Sequence, residues 1–391
     1  MKVNFFVATL MWLMALVAKA NDGTYYVNGN QLVPLQETDV AVTKEVLTIS
    51  IRDDGFAAVD VYYEFTNRGK AKVVDMGFEA QSPYNAGDAL QKTGKHPYIH
   101  DFTVEMNGER LAIRNYVMKA GDSEDPADFV PLDLTQWRDL NDQDDEMSAI
   151  INKKTNENIE YSYAYCFKAN FKEGKNVVHH TYRYRMSEGV YNHFNVPYWL
   201  KPAMRWANHQ IDDFTLRIKA EKTSKQFCIA KDKMWEAASW RLKDGTGKMH
   251  VIKSGYDVDY YEFSLRNGTY EWHALNFRPT DNISIQSAEG AVFAREDFKL
   301  GRFYDRTAVI LVPYEGMEET EDGYQVSTKN TTDGIPNSRI LRNLPYAARG
   351  YVFKDQKLAA YFKSLWWYMP DPSWQQSTSD FTKQEREWIT K

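Results

Sequence analysis

The chain has 391 residues, 14% of them aromatic, with 48 Lys and Arg against 54 Asp and Glu and a formal charge of -6. An acidic chain with scattered basic residues argues against general nucleic-acid binding. Its two cysteines cannot by themselves hold a structural zinc ion.

Lys2 precedes an apolar run over residues 5–17, broken only by Thr9, and Ala18-Lys19-Ala20 has the small-x-small form of a signal peptidase site. The run is shorter than the ~20 residues needed to span a bilayer. Residues 1–20 therefore read as a secretory signal peptide. Its removal takes away Lys2 and Lys19 and no acids, which leaves -6 - 2 = -8. No later segment is apolar enough to span, so the mature chain is expected in the periplasm or outside the cell, with no integral membrane segment. In that oxidising compartment Cys166 and Cys228 either form a disulfide, worth about 4 kcal/mol of loop closure, or stay as two buried thiols.

From Val46 the chain reads as strands. Val59, Val61, Tyr63 and Phe65 alternate with Asp60, Tyr62 and Glu64, which gives one half-buried face. Residues 102–106 meet Asn107-Gly108 and then 111–113; Asn-Gly accepts positive φ at both turn positions, which predicts a hairpin. The acidic stretch 121–146, with Pro126, Pro131 and Trp137, reads as a long insertion. Tyr161, Tyr163, Tyr165 and Phe167 form a second stripe at period two, turned back by Lys172-Glu173-Gly174-Lys175 into residues 177–185. Residues 195–208, with Pro197, Trp199, Pro202 and Trp206, read as a loop packed by aromatics. Further strands are expected at 214–220, 227–230, 260–265 and 270–277. Arg266-Asn267-Gly268 reads as the turn joining the last two, and Gly245-Thr246-Gly247 as another turn. Many short strands with turn chemistry between them imply an antiparallel sandwich, as one large domain or two over residues 21–300.

Residues 307–312 again suit a strand. Residues 315–337 are acidic, contain Thr and Gly and are poor in apolar side chains, so 301–336 is expected to be a strand and an acidic linker. Residues 337–391 are helical in character. Gly350 suits a helix C-cap after Arg349, and Pro345 either kinks that helix or begins a new turn of it. Asp355 caps a helix bearing Leu358, Tyr361 and Phe362 on one face. Thr382 and Glu385 make a capping box before Trp388 and Ile389. A domain of about fifty residues has a small core, so large rings must supply most of the burial. The expected fold class is α+β: a large antiparallel β-sandwich-type N-terminal region followed by a small, mainly helical C-terminal domain.

The C-terminal block resembles the YARHG domain, a presumed extracellular bacterial module. The resemblance rests on Leu341-Arg342-Asn343, Tyr346-Ala347, Gly350, Tyr351, Phe353, Leu358, Tyr361-Phe362, Trp367-Tyr368 and Pro370, and covers about residues 337–391. The naming motif is Tyr-Ala-Arg-His-Gly, whereas this chain has Tyr346-Ala347-Ala348-Arg349-Gly350. The His is missing and the basic residue stands one place nearer the Gly, so no role carried by a motif His transfers. The resemblance implies no enzymatic activity. Residues 21–282 are similar to a secreted bacterial family of unassigned function, through Asn21-Asp22, Leu47-Thr48-Ile49, the 61–67 strand, the 177–182 strand and the 206–218 stretch. That similarity implies a β-rich envelope protein and no substrate.

No Gly-x-Ser-x-Gly elbow, His-Glu-x-x-His helix or phosphate-binding loop is present, so no catalytic residue and no cofactor is assigned. His179 and His180 are adjacent and on a strand face opposite sides, and His180 shares its face with Val178, Tyr182 and Tyr184, as a core histidine does. His96 and His100 have helical metal spacing, but Pro97 argues against a helix, so no metal site is assigned. The acidic residues 139–146 lack the Gly and spaced ligands of a calcium loop and read as a solvated face. The binding candidates are Tyr346, Arg349, Trp366, Trp367, Tyr368 and Trp374. The rings either form a platform for a glycan or peptide or fill the small core, and Arg349 either meets an anion or pairs with an acid such as Asp355. The reading that follows is a non-catalytic envelope protein binding a cell-wall glycan, peptidoglycan or an envelope protein. The alternatives are a secreted hydrolase with carboxylates from distant strands and a structural subunit that pairs edge strands in trans.

Overall fold

The computed structural model describes residues 29–390 apart from 37, 84–89, 121–128, 140–148, 190–191, 221–224, 237, 253–257, 288–299, 306–307, 314–316, 321–322, 327–330, 380 and 382. The expected signal peptide, most of the acidic insertion and Thr382 of the capping box lie outside the described residues. The strands in chain order begin with β1 (Val33–Pro34), β2 (Val40–Ile51), β3 (Phe56–Asn67), β4 (Lys72–Gln81), β5 (Ile99–Met106) and β6 (Glu109–Arg110). They continue with β7 (Arg114–Lys119), β8 (Trp137–Asp139), β9 (Ala149–Asn152), β10 (Asn158–Phe171), β11 (Gly174–Arg185) and β12 (Ser187–Gly189). Then come β13 (Asn192–Tyr198), β14 (Ile211–Ala220), β15 (Lys225–Ala230), β16 (Arg241–Ile252), β17 (Tyr260–Phe277) and β18 (Ile283–Ser287).

A six-stranded sheet runs β1-β4-β10-β9-β8, with β7 also on β10. A twelve-stranded sheet runs β12-β13-β18-β15-β17-β14-β2-β3-β11-β5-β6, with β16 also on β17. The pairing is antiparallel except between β2 and β14, which run parallel from Glu45 opposite Phe214 to Ile51 opposite Ala220. No short turn joins those two strands, so no hairpin forces them antiparallel. The two aromatic stripes belong to one buried cluster. Val59, Val61, Tyr63 and Phe65 of β3 and Tyr161, Tyr163, Tyr165 and Phe167 of β10 are all buried. Phe102 of one sheet stacks on Tyr165 of the other at 4.4 Å. One apolar cluster extends from Leu32 to Ile285. Beyond it, β19 (Leu300–Asp305) pairs with β20 (Ala308–Pro313), β21 (Met317–Thr320) with β22 (Gly323–Val326), and β23 (Thr331–Thr332) with β24 (Ile335–Pro336).

Three expectations change. Residues 195–198 are strand, and a 3-10 turn at Lys201–Arg205 leads to the buried Trp206, whose indole N–H donates to the Leu32 carbonyl at 3.2 Å. Asn267-Gly268 is not a hairpin turn: β17 runs straight through it for 18 residues. Gly245 likewise lies within β16, opposite Gly268, and the register of the pair shifts on both sides of them. The two glycines have φ of +84° and +98°, and a Cβ on either would lie 2.2 Å from a carbonyl oxygen of the other strand. The Gly-rich signals therefore mark a doubly bulged strand pair, which needs glycine for the same left-handed backbone that a tight turn needs.

A carboxylate sits in the core. The core face of β2 is read by Val40 and Val42, then by Leu47, Ile49 and Ile51, because the register shifts across Thr43. That shift turns Glu45 inward, where it is wholly buried. Gln31 Nε2 donates to Glu45 Oε1 at 2.8 Å, and the Tyr63 hydroxyl donates to Gln31 Oε1 at 2.9 Å. Desolvation outweighs the Gln31 hydrogen bond and pushes the Glu45 carboxyl up to about 8. The folded state therefore holds a proton that the unfolded chain has released, so the contribution of Glu45 to stability is full in acid and is lost as pH rises through about 8. Substitution Glu45→Gln is expected to remove this loss. Urea unfolding of both proteins from pH 5 to 9 should show the variant gaining on the wild type by up to about 1.4 kcal/mol per pH unit between the two pKa values.

Candidate functional site

The C-terminal module is built on α1 (Asn337–Ala348), α2 (Gln356–Ser364) and α3 (Lys383–Thr390). Pro345 lies inside α1 and is buried. At the end of that helix Gly350 adopts φ +86°, the Tyr351 N–H donates to the Tyr346 carbonyl at 3.0 Å and the Gly350 N–H to that of Ala347 at 2.9 Å. This is the paired closure of a Schellman motif, and Gly350 supplies its left-handed residue. Asp355 caps α2 by accepting from the Leu358 N–H at 2.9 Å. Ile335, Ile340, Leu341, Leu344, Phe353, Leu358, Tyr361, Phe362, Trp367 and Tyr368 form a core of their own.

The six predicted binding residues separate into three groups: Trp367, Tyr368 and Arg349 used inside the module, Trp366 against the sheet, and Tyr346 with Trp374. Trp367 and Tyr368 are core residues, each 3% exposed. Arg349 does not pair with Asp355, whose partner is Arg339 at 3.0 Å. The Arg349 guanidinium instead makes a two-pronged pair with Glu385 at 2.8 and 2.9 Å, donates to the Pro345 carbonyl at 2.9 Å and lies over the Phe381 ring at 4.3 Å. The motif's basic residue thus ties α1 to α3. With side chains 14% and 6% exposed, the pair is largely desolvated.

Trp366 belongs to a contact that the sequence did not announce. Its ring stacks on His250 of β16, with centroids 4.2 Å apart and planes at 17°. His250 Nε2 is 2.6 Å from Glu262 Oε2, and Glu262 is wholly buried. Lys248 Nζ donates to the carbonyls of Trp366 and Tyr368 at 3.1 and 2.8 Å. Arg266 of β17 donates to the Met369 carbonyl at 2.6 Å, to Asp371 Oδ2 at 3.2 Å and to Thr246 Oγ1 at 3.2 Å. A Cβ on Gly350 would lie 2.2 Å from Arg266 Nη1 and 2.8 Å from the Met369 carbonyl oxygen. The bulged pair β16–β17 therefore offers three side chains, and the 366–371 segment of the module lies on them.

Tyr346 and Trp374 form the third group, joined by Tyr351, which the sequence reading did not select. Their centroids are 6.0 to 6.3 Å apart and their rings are steeply inclined to one another. All three are half-buried. Tyr346 also meets the buried Phe381 at 5.1 Å. These rings are near neighbours on the module, and each keeps part of its surface in water.

Cys166 and Cys228 are not joined to each other. Cys166 packs with Met118, Ala164 and Phe129, and burial pushes its thiol up to about 11. Cys228 packs with Ile252 and Tyr260. His180 donates from Nδ1 to the Thr103 carbonyl at 2.8 Å and stacks on Tyr182, and burial lowers its pKa to about 4, so it stays neutral. His96 lies outside any helix or strand and His100 in β5, so the helical spacing is not realised. Among the described residues, no group of three or more His, Cys, Asp or Glu is placed to hold a metal ion. A groove of about 460 Å³ is lined by Gln36, Thr38, Asp39, Lys72, Val73, Val74 and Asp75. Both its carboxylates are in ion pairs, Asp39 with Lys72 and Asp75 with Lys168.

Two outcomes test this arrangement. Gly350→Ala places a side chain at positive φ against Arg266, and thermal unfolding should show a loss of about 2–3 kcal/mol. Glu385→Ala removes the carboxylate from the largely desolvated Arg349 guanidinium and should cost about 3 kcal/mol, whereas Asp355→Asn, at an exposed pair, should cost much less.

No curated protein matches the chain. A Legionella pneumophila crystal structure, described as a "putative nutrient binding protein", matches with a TM-score of 0.50 and 16% identity, over 95% of this chain and 99% of that one. It shows that the β-rich architecture recurs. An M1 zinc metallopeptidase from Deinococcus radiodurans matches with a TM-score of 0.23 and 11% identity, over 65% of this chain and 43% of that one. Baculovirus P35 matches at 0.22 and 9%, over 66% and 98%. Both scores are too low to carry an argument. Among the described residues no helix is long and apolar enough to cross a membrane. Residues 332–391 match the YARHG domain, a span that begins before α1 and takes in Ile335 of the module's core, so the chain carries a YARHG domain at its C-terminal end.

Proposed function

We propose that this is a secreted, non-catalytic binding protein of the cell envelope, and that it engages a surface polymer or protein partner through Tyr346, Tyr351 and Trp374. The observation that carries this reading is the division of the module's rings. Trp367 and Tyr368 are used by the core and Trp366 by the contact with His250, whereas the other three keep partly exposed surfaces beside one another. Half-exposed aromatics held rigidly by their own packing contribute contact area at little entropic cost. Secretion rests on the character of residues 1–20. The nutrient-binding description of the Legionella protein fits a binding role.

The hydrolase reading needs two carboxylates poised in a pocket. The described groove has two, but each is neutralised by a lysine. Capture of partners from envelope extracts by the immobilised full chain should fall at least about tenfold for Trp374→Ala, at an unchanged melting temperature. Undiminished capture by that variant contradicts the reading.

A further inference from the structure

The surroundings of the three rings carry chemical information. Arg339, Arg342 and Tyr346 of α1 and Arg349 at its C-cap are spaced three, four and three residues apart, so they form one stripe along the helix. Two of the cations are engaged, Arg349 by Glu385 and Arg339 by Asp355. Arg342, one turn from Tyr346, is exposed, and none of the described residues forms an ion pair with it. Trp374 is followed by Gln375, Gln376, Ser377, Thr378 and Ser379, all exposed. Amides and hydroxyls both donate and accept, which matches the two-way hydrogen bonding of sugar hydroxyls. The neighbours of the rings are thus polar.

Charge separates the module from the rest of the chain. Residues 332–391 hold 9 Lys and Arg against 6 Asp and Glu, whereas residues 1–331 hold 39 against 48. An anionic ligand is therefore drawn to the module and repelled by the remainder.

We propose that this face binds an acidic polysaccharide. The rings of Tyr346, Tyr351 and Trp374 lie against sugar faces, Gln375 and Gln376 bond to the hydroxyls, and the Arg342 fork takes the anionic substituent. A guanidinium binds carboxylate and phosphate alike, so both acidic sugars and phosphorylated sugars qualify. The proposal rests on the binding reading above and adds the chemistry of the ligand.

Affinity electrophoresis of the intact protein through gels containing polygalacturonate, phosphomannan or neutral dextran tests it. Retardation is expected in at least one acidic gel and not in dextran, and the gel that retards names the substituent. Arg342→Ala, an exposed change that leaves folding intact, should weaken retardation about tenfold, and Arg342→Lys should restore part of it. Trp374→Ala should abolish it, with far-UV circular dichroism unchanged. Equal retardation of the wild type and both Ala variants overturns the proposal, as does retardation in dextran. Absence of retardation in every gel, with Trp374-dependent capture of an envelope protein intact, overturns the ligand chemistry and leaves the binding reading standing. Loss of both removes the binding reading as well.

Discussion

The contact between Arg266 and Gly350 fixes how the two parts of this molecule relate. Arg266 is 11% exposed and bonds at once to the backbone of the module, to Asp371 and to Thr246 of its own sheet. It can approach so closely because Gly350 has no side chain. It is held at that height because β16 and β17 bulge around Gly245 and Gly268, two glycines that pack backbone against backbone. Glycine chemistry on both partners thus sets one interface. The glycine of the motif serves twice, ending α1 in a left-handed turn and admitting a guanidinium from the neighbouring sheet.

The interface is polar. Lys248 and Arg266 bond to main-chain carbonyls, and His250 stacks on Trp366 while it bonds to a buried carboxylate. The apolar burial of the module lies instead in its own small cluster. A small domain with few aliphatic side chains must fill its core with rings. That demand uses Trp367, Tyr368, Phe353 and Phe362, the contact uses Trp366, and Tyr346, Tyr351 and Trp374 are left half-exposed.

Much of the fold was legible in the sequence, because period-two stripes report burial directly. The stripes at 59–65 and 161–167 are core faces, and Asn107-Gly108 turns with positive φ at both positions. The caps at Gly350 and Asp355 were legible for the same reason, since each is a local rule. Asn267-Gly268 misled because positive φ is common to tight turns and bulges, and local sequence does not distinguish them. The β2–β14 pair, the Glu45 inversion and the partner of Arg349 depend on residues far apart in the chain. Glu385 was assigned a capping role, and only the return of α3 onto α1 brings it to Arg349. Among the six candidate residues, the sequence could not separate core rings from half-exposed ones, because Trp366-Trp367-Tyr368 and Trp374 carry the same chemistry and differ only in what they pack against.

Hydrogen exchange of the full chain, compared with Arg266→Ala, tests the interface most directly. In the wild type the amides of Tyr368 and Asp371, which donate to the Leu365 and Gly350 carbonyls, should be protected while those of 375–379 exchange freely. In the variant the Tyr368 and Asp371 amides should lose protection while α1 and α2 keep theirs, because the module retains its own core. Unchanged exchange of these two amides in Arg266→Ala would contradict the account, since it would mean that the module is held by something other than the β16–β17 contact.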